Sequence, residues 1–205
     1  MIMKIGICGA NLDGVILPED IPFIGVDKGA EKLIGRGITP AWAIGDFDSI
    51  GNPDVLKQIK ETEVLPARKD VTDTHAALEW AIDMGYDDIC IYGATGGRLD
   101  HFIAALILLE LHKEVRITIH DSLNEISLLT PGEHRFSSGG YKYFSLFALE
   151  RAVITITGAE YNVSDFVLLR KDPLGCSNQV KGEFASVKTD ADVLLIRSND
   201  GHGES

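Results

Sequence analysis

Two aspartates stand one residue apart in "AIGDFDSI", residues 43–50, where Asp46 and Asp48 flank Phe47 directly after an apolar run. Other apolar runs close the same way: Asp27 ends "FIGVD", and Lys69, Asp70 and Asp73 follow "EVLPAR". Carboxylates gathered on one rim repel one another unless a cation or hydrogen bonds offset the field. A hard divalent cation with oxygen ligands is the simplest partner, and Mg²⁺ is the natural candidate. A lone Asp after a strand also reads as a helix N-cap or turn former, and that reading fits Asp70 or Asp73 taken singly. It fits the "DFD" pair beside "KDVTD" much less well.

The stretch "GATGGRLDH", residues 93–101, supplies the complementary chemistry. Glycines after a strand let backbone N–H groups approach a phosphate, and the helix N-terminus that follows favours negative charge. Arg98 can then clamp phosphate oxygens with two parallel hydrogen bonds. No GxGxxG follows the first strand, where "CGANLDG" has only loosely spaced glycines, and no GxxxxGK[ST] occurs. A dinucleotide fingerprint and an ordinary P-loop are therefore not supported.

These residues need elements to position them. "KIGICGA", "FIGVD", "AWAIGD", "EVLPA", "DICIYGA" and "RITIH" read as strands, and their continuous apolar character predicts burial on both faces. Between them "KGAEKLIGRG", "NPDVLKQIKE", "DTHAALEWAIDMG" and "LDHFIAALILLELHK" carry apolar residues at helical spacing. The alternation predicts a three-layer α/β/α domain with a parallel sheet, in which ligands bind outside the carboxyl ends of the strands. Asp27, Asp46, Asp48, Lys69, Asp70, Asp73, Arg98, Asp100 and His101 all fall on that rim. After about residue 124 the pattern changes to strand-like runs between turn signals, which predicts a smaller all-β sandwich over 125–205 behind an α/β domain over 1–124.

The chain has 205 residues, 45% of them hydrophobic, enough for a substantial core. Acidic residues outnumber basic ones 31 to 19, and the formal net charge is −12. Such a surface repels nucleic acid and anionic membranes and suits a cationic or metal-bound partner. The opening apolar run is too short for a signal-peptide core and no stretch reaches bilayer-spanning length, which leads to the expectation of a cytoplasmic protein. Cys8, Cys90 and Cys176 lie far apart without a CxxC pair and read as buried small hydrophobes rather than zinc ligands or disulfides.

"VDKGAEKLIGRGITPAWAIGDFDSI", "KDVTDTHAAL" and "GATGGRLDHFIAALILL" come in the order and spacing of the thiamine pyrophosphokinases, and "SNQVKGEFASVKTDADVLLIRSND" resembles that family's C-terminal segment. The resemblance implies an α/β nucleotide-binding domain joined to a thiamine-binding β-sandwich, a homodimer with shared sites, and diphosphoryl transfer from Mg-ATP to thiamine, leaving AMP. It implies Mg²⁺ at Asp46, Asp48 and Asp73, and nucleotide contacts from Asp27, Lys69, Asp70, Thr72, Gly96, Gly97, Arg98 and His101. Catalysis would fall to Asp46, Asp48, Asp73, Asp100 and Arg98, and thiamine would meet Asp100, Ser177 and Asn178. Asp73 and Asp100 both remain candidates to accept the hydroxyl proton. The chain departs from the family at Ala105, where an Asn is usual, and at Gln179, where a Glu is common. Two other readings compete: a Mg²⁺-dependent phosphohydrolase using water as nucleophile, and a nucleotide- or thiamine-binding sensor without catalysis.

Overall fold

The computed structural model describes residues 2–65 and 71–201. The chain divides into two compact units, Met1–Ser122 and Leu123–Ser205.

The first unit is built on strands β1 (Lys4–Cys8), β2 (Phe23–Val26), β3 (Trp42–Gly45), β4 (Thr62–Val64), β5 (Asp88–Tyr92) and β6 (Arg116–His120). All pair in parallel, in the spatial order β4-β3-β2-β1-β5-β6. Every residue of β2, β3 and β5 is buried, as expected of strands covered on both faces. β4 differs: it is a three-residue strand, exposed throughout, because it lies at the sheet edge. The order turns back at β1, with β2 to β4 on one side and β5 and β6 on the other, and ligands of open parallel sheets bind at such a reversal.

Helices α1 (Lys28–Gly35), α2 (Asp73–Asp83) and α3 (Leu99–Leu111) bury Ala30 and Leu33, Ala77 with Leu78 and Ala81, and Ala105 with Leu108 and Leu109 respectively. α2 starts where the Thr72 hydroxyl accepts from His75 N–H at 3.2 Å, an N-cap bond. "NPDVLKQIKE" does not form the expected α-helix. It makes a short 3-10 helix, Pro53–Gln58, capped by Asn52, and Ile59 is already extended, so an α-helical ladder has no length over which to propagate. Trp42 on β3 and Trp80 on α2 stack with ring centroids 4.4 Å apart and an interplanar angle of 17°. The contact is worth about 1 kcal/mol beyond burial. It ties α2, which begins at Asp73, to β3, which ends one residue before Asp46. His75 and His112 approach to 3.4 Å between their Nε2 atoms and pin the start of α2 to the end of α3.

The second unit comprises β7 (Asn124–Leu129), β8 (Gly132–Phe136), β9 (Tyr143–Ala148), β10 (Arg151–Thr157), β11 (Val163–Leu169), β12 (Ala185–Thr189) and β13 (Val193–Ser198), with no α-helix among the described residues. β7-β13-β9 and β11-β10-β12-β8 are antiparallel arrays. Burial alternates along β10, where Ala152, Ile154 and Ile156 face inward. One core draws on both arrays, bringing Phe144, Leu146 and Leu195 together with Ile154, Leu168 and Val187.

Candidate active site

Loops from the carboxyl ends of β1, β2 and β5 and the starts of α1, α2 and α3 enclose a cavity of about 370 Å³. The β1 and β5 loops meet there, with Gly9 N–H donating to Tyr92 O at 2.8 Å. Asp27, Asp73, Gly97, Arg98 and His101 line the cavity, joined by Asn11, Lys28, Ser49 and Thr74. Helix N-termini carry partial positive charge and orphan N–H groups, so the cavity favours an anion over much of its wall.

Asp46 and Asp48 sit on the loop after β3, beside the cavity-lining Ser49 rather than in the wall itself. Asp46 is half-buried and Asp48 is exposed. Asp48 N–H donates to Asp46 Oδ1 at 3.2 Å, which turns the loop. Glu31 of α1 accepts from the N–H groups of Gly51 and Asn52, each at 3.1 Å, and holds the far side of the loop. Lys69 and Asp70 lie outside the described residues.

The 93–98 loop is anchored by Thr95, whose hydroxyl donates to Asp121 Oδ2 at 2.8 Å. Gly97 passes so close to Asn11 that a Cβ there would stand 2.4 Å from Asn11 Nδ2. Arg98 grips Asp100 with two bonds, Nε to Oδ1 at 3.1 Å and a terminal nitrogen to Oδ2 at 2.5 Å. That grip, foremost, holds the Asp100 carboxyl down at about 2, and the same pair pushes Arg98 further up. A guanidinium has five donors, so Arg98 keeps an edge for another anion. Asp100 does not line the cavity, nor do Gly96 and Thr72, whose hydroxyl caps α2. Tyr92 in the wall has its phenol pushed far above the ordinary value, first by burial and then by Cys90, and stays neutral.

In the second unit, Ser177 is exposed in a left-handed conformation, φ 60, and its N–H donates to Ser145 Oγ at 3.0 Å. Asn178 is buried, and its amide serves the fold. Oδ1 accepts from Tyr161 N–H at 3.0 Å and Gln179 N–H at 2.9 Å, while Nδ2 donates to Tyr161 O at 2.8 Å. A cavity of about 240 Å³ opens beside it, lined mainly by apolar side chains such as Leu146, Ile154 and Phe166, with Tyr161 and Cys176.

Residues 18–119 match the family model described as thiamin pyrophosphokinase, catalytic domain, and residues 133–194 match that described as thiamin pyrophosphokinase, vitamin B1 binding domain. A thiamine pyrophosphokinase of Bacillus subtilis (strain 168) is 34% identical over 193 residues, which cover 89% of each chain. The chain belongs to the thiamin pyrophosphokinase family. Two solved structures of that family superpose on it with a TM-score of 0.85 each. The Bacillus subtilis protein does so at 30% identity over 97% of this chain and 100% of its own. That from Geobacillus thermodenitrificans does so at 31% identity over 98% of this chain and 99% of its own.

Among the described residues, no group of three or more His, Cys, Asp or Glu side chains forms a ready metal cage. Mg²⁺ does not call for one: it keeps several waters and is bound through one or two carboxylates together with substrate phosphates. Asp46 and Asp48, hard oxygen donors on one turn, fit that requirement, with Asp73 at the start of α2 as a further oxygen donor. Asn11, Lys28, Ser49 and Thr74 were not singled out by the sequence reading. Asn11 carries a visible signal, because it lies in the loop after the first strand, "CGANLDG", on the same rim as the charged residues. Among the described residues no helix is long and apolar enough to cross a membrane.

Proposed function

We propose that the chain transfers the terminal diphosphoryl group of ATP to the hydroxyl of thiamine, giving thiamine diphosphate and AMP. The observation that carries this reading is the cavity at the strand-order reversal, with Arg98, Gly97 and three helix starts about it, in a chain whose halves match catalytic and vitamin B1 binding domains. The hydroxyl oxygen attacks the β-phosphorus in line, the bond between that phosphorus and the α-β bridging oxygen breaks, and AMP departs. The protein supplies mainly position and charge. Arg98, Gly97 and His101 hold the polyphosphate together with the N–H groups at the helix starts, and Lys69 adds a cation. Asp46, Asp48 and Asp73 would hold Mg²⁺, which offsets the charge on the phosphate oxygens. Asp100, gripped by Arg98, orients the guanidinium, and the hydroxyl proton leaves to a rim carboxylate or to solvent.

In this reading residues 1–124 form a three-layer nucleotide domain and residues 125–205 a β-sandwich for thiamine, a description supported by the core shared between the two antiparallel arrays. Ser177 meets thiamine, and Asn178 shapes the loop beneath it. The protein is cytoplasmic and pairs as a homodimer, each site taking the metal-binding rim from one chain and the Ser177 loop from its partner.

The test is direct: incubate the purified protein with Mg-ATP and thiamine and resolve the products. Thiamine diphosphate and AMP are expected. Thiamine monophosphate with ADP would mean single phosphoryl transfer, and inorganic phosphate without thiamine would favour a hydrolase. ATP and thiamine binding with no product would point to a sensor.

A further inference from the structure

We infer that Asp27 is a positioning residue that acts through the loop carrying Asp46 and Asp48, and that it works as a hydrogen-bond acceptor rather than as a charge. The link to catalysis rests on the proposed reaction; the structural claim does not. Asp27 follows β2 with φ 48 and ψ −123, a backbone conformation open to glycine and costly for any residue with a side chain. A non-glycine residue persists in such a place when its side chain contributes something glycine cannot.

What it contributes is visible at the end of the neighbouring strand. Asp27 N–H donates to Ile44 O at 2.9 Å, carrying the β2–β3 ladder one step beyond β2. The carboxylate then reaches over the end of β3, where Oδ1 accepts from Phe47 N–H at 3.3 Å. It fits there because residue 45 is glycine: a Cβ at Gly45 would stand 1.8 Å from that same Oδ1. Phe47 also has a positive φ, 56, so two unfavourable backbone turns face each other and one carboxylate oxygen joins them. The residue it holds lies between Asp46 and Asp48. Glu31 grips the other side of the loop in the same manner, through Gly51 and Asn52 N–H. Two acidic side chains that accept main-chain hydrogen bonds thus hold the loop that carries two others.

An acceptor role and a charge role separate under substitution. Asp27→Asn keeps an Oδ1 in place and loses the charge, whereas Asp27→Gly relieves the backbone and loses the acceptor. The readouts are amide hydrogen exchange at Phe47 without ligand, and binding of Mn²⁺, a paramagnetic stand-in for Mg²⁺, in the presence of ATP. Asp27→Asn should match the parent protein in Phe47 exchange and lose far less Mn²⁺ affinity than Asp27→Gly. Asp27→Gly should fold, speed Phe47 exchange, and weaken Mn²⁺ binding about 10- to 100-fold, the usual consequence of losing a residue that orients metal ligands. Equal weakening in both variants would show that the charge acts directly and would overturn the inference, as would parental exchange and affinity in the glycine variant. If the glycine variant failed to fold, the asparagine variant would still decide between acceptor and charge. Absence of diphosphoryl transfer in the parent protein would sink the proposed reaction, while the Phe47 exchange comparison would still decide the role of Asp27.

Discussion

Asp46 and Asp48 in the first unit and Asn178 in the second are polar residues in loops, yet their surroundings differ. The aspartates are half-buried and exposed, and the contact that sets their turn is one local bond from Asp48 N–H to Asp46. Asn178 is buried and makes three hydrogen bonds to main-chain groups of its own unit. A buried amide whose donors and acceptors are matched inside the fold stabilises that fold. Carboxylates left at the surface add little to the fold and, under the proposed reaction, serve the cation they would hold. A site inferred from charge and spacing therefore mixes two kinds of residue, and substitution should sort them by opposite signatures.

The largest effect is expected at the aspartates. Asp46→Asn or Asp48→Asn should lower turnover on the order of 10²-fold or more and raise the Mg²⁺ concentration needed for half-maximal rate. Melting should stay close to the parent value, because removing one of two like charges relieves repulsion. Kinetics over a Mg²⁺ series beside thermal melts would show it, and parental turnover at limiting Mg²⁺ would erase the contrast with Asn178.

Asn178→Ala should behave the other way. Tyr161 N–H and C=O and Gln179 N–H would lose the amide that holds them at a half-buried junction, costing about 1–2 kcal/mol of stability by denaturant unfolding. Below the unfolding transition its turnover should remain close to that of the parent. A large loss of turnover at unchanged stability would move Asn178 into the same class as the aspartates.

Arg98→Lys sharpens the middle ground, because the residue lines the cavity and also grips Asp100. A point charge cannot reproduce a two-pronged contact, so kcat/KM for ATP should fall roughly tenfold despite the retained charge. An unchanged kcat/KM would assign the fork to structure.

The smallest effect concerns Asp100, whose carboxyl is held at about 2 against an ordinary 3.8 by the Arg98 hydrogen bond. A depressed carboxylate contributes stability above its unfolded value and loses it as pH falls through the folded one, here between about 4 and 2. Both groups are exposed, so the stability change itself is slight. Carboxyl-carbon NMR should show Asp100 returning toward 3.8 in Arg98→Ala. No movement would mean that the loop backbone, not Arg98, sets its acidity.

The parts of the fold that rest on burial were readable from the chain. β2, β3 and β5 announced themselves as unbroken apolar runs because both their faces are covered. β4 overlaps the expected "EVLPA" only at Glu63 and Val64, and its exposure follows from edge position, a property of pairing order rather than of that run. The 3-10 helix at Pro53 was misread because apolar spacing cannot register how soon a helix ends. At the site, charge identified Asp27, Asp73 and Arg98 as residues near the strand ends, and these do line the cavity. Direction was invisible: nothing in "FIGVD" shows that Asp27 turns its oxygen onto the next strand's loop, since that depends on a missing Cβ eighteen residues away at Gly45. Asn178 came from the resemblance alone, and nothing in "SNQV" shows that its amide also holds Tyr161, a partner set by tertiary structure.

The stacked indoles of Trp42 and Trp80 carry an optical consequence. Two chromophores lying nearly parallel at this separation couple their transition dipoles, and the resulting exciton bands in circular dichroism depend steeply on spacing and twist. With both tryptophans of the chain in that pair, the tryptophan bands of the native protein report essentially one junction. That junction joins the strand leading to Asp46 with the helix that begins at Asp73. Any rearrangement that draws those two carboxylates together or apart should alter the couplet, so the protein carries a label-free gauge of the rim that bears Asp46 and Asp73.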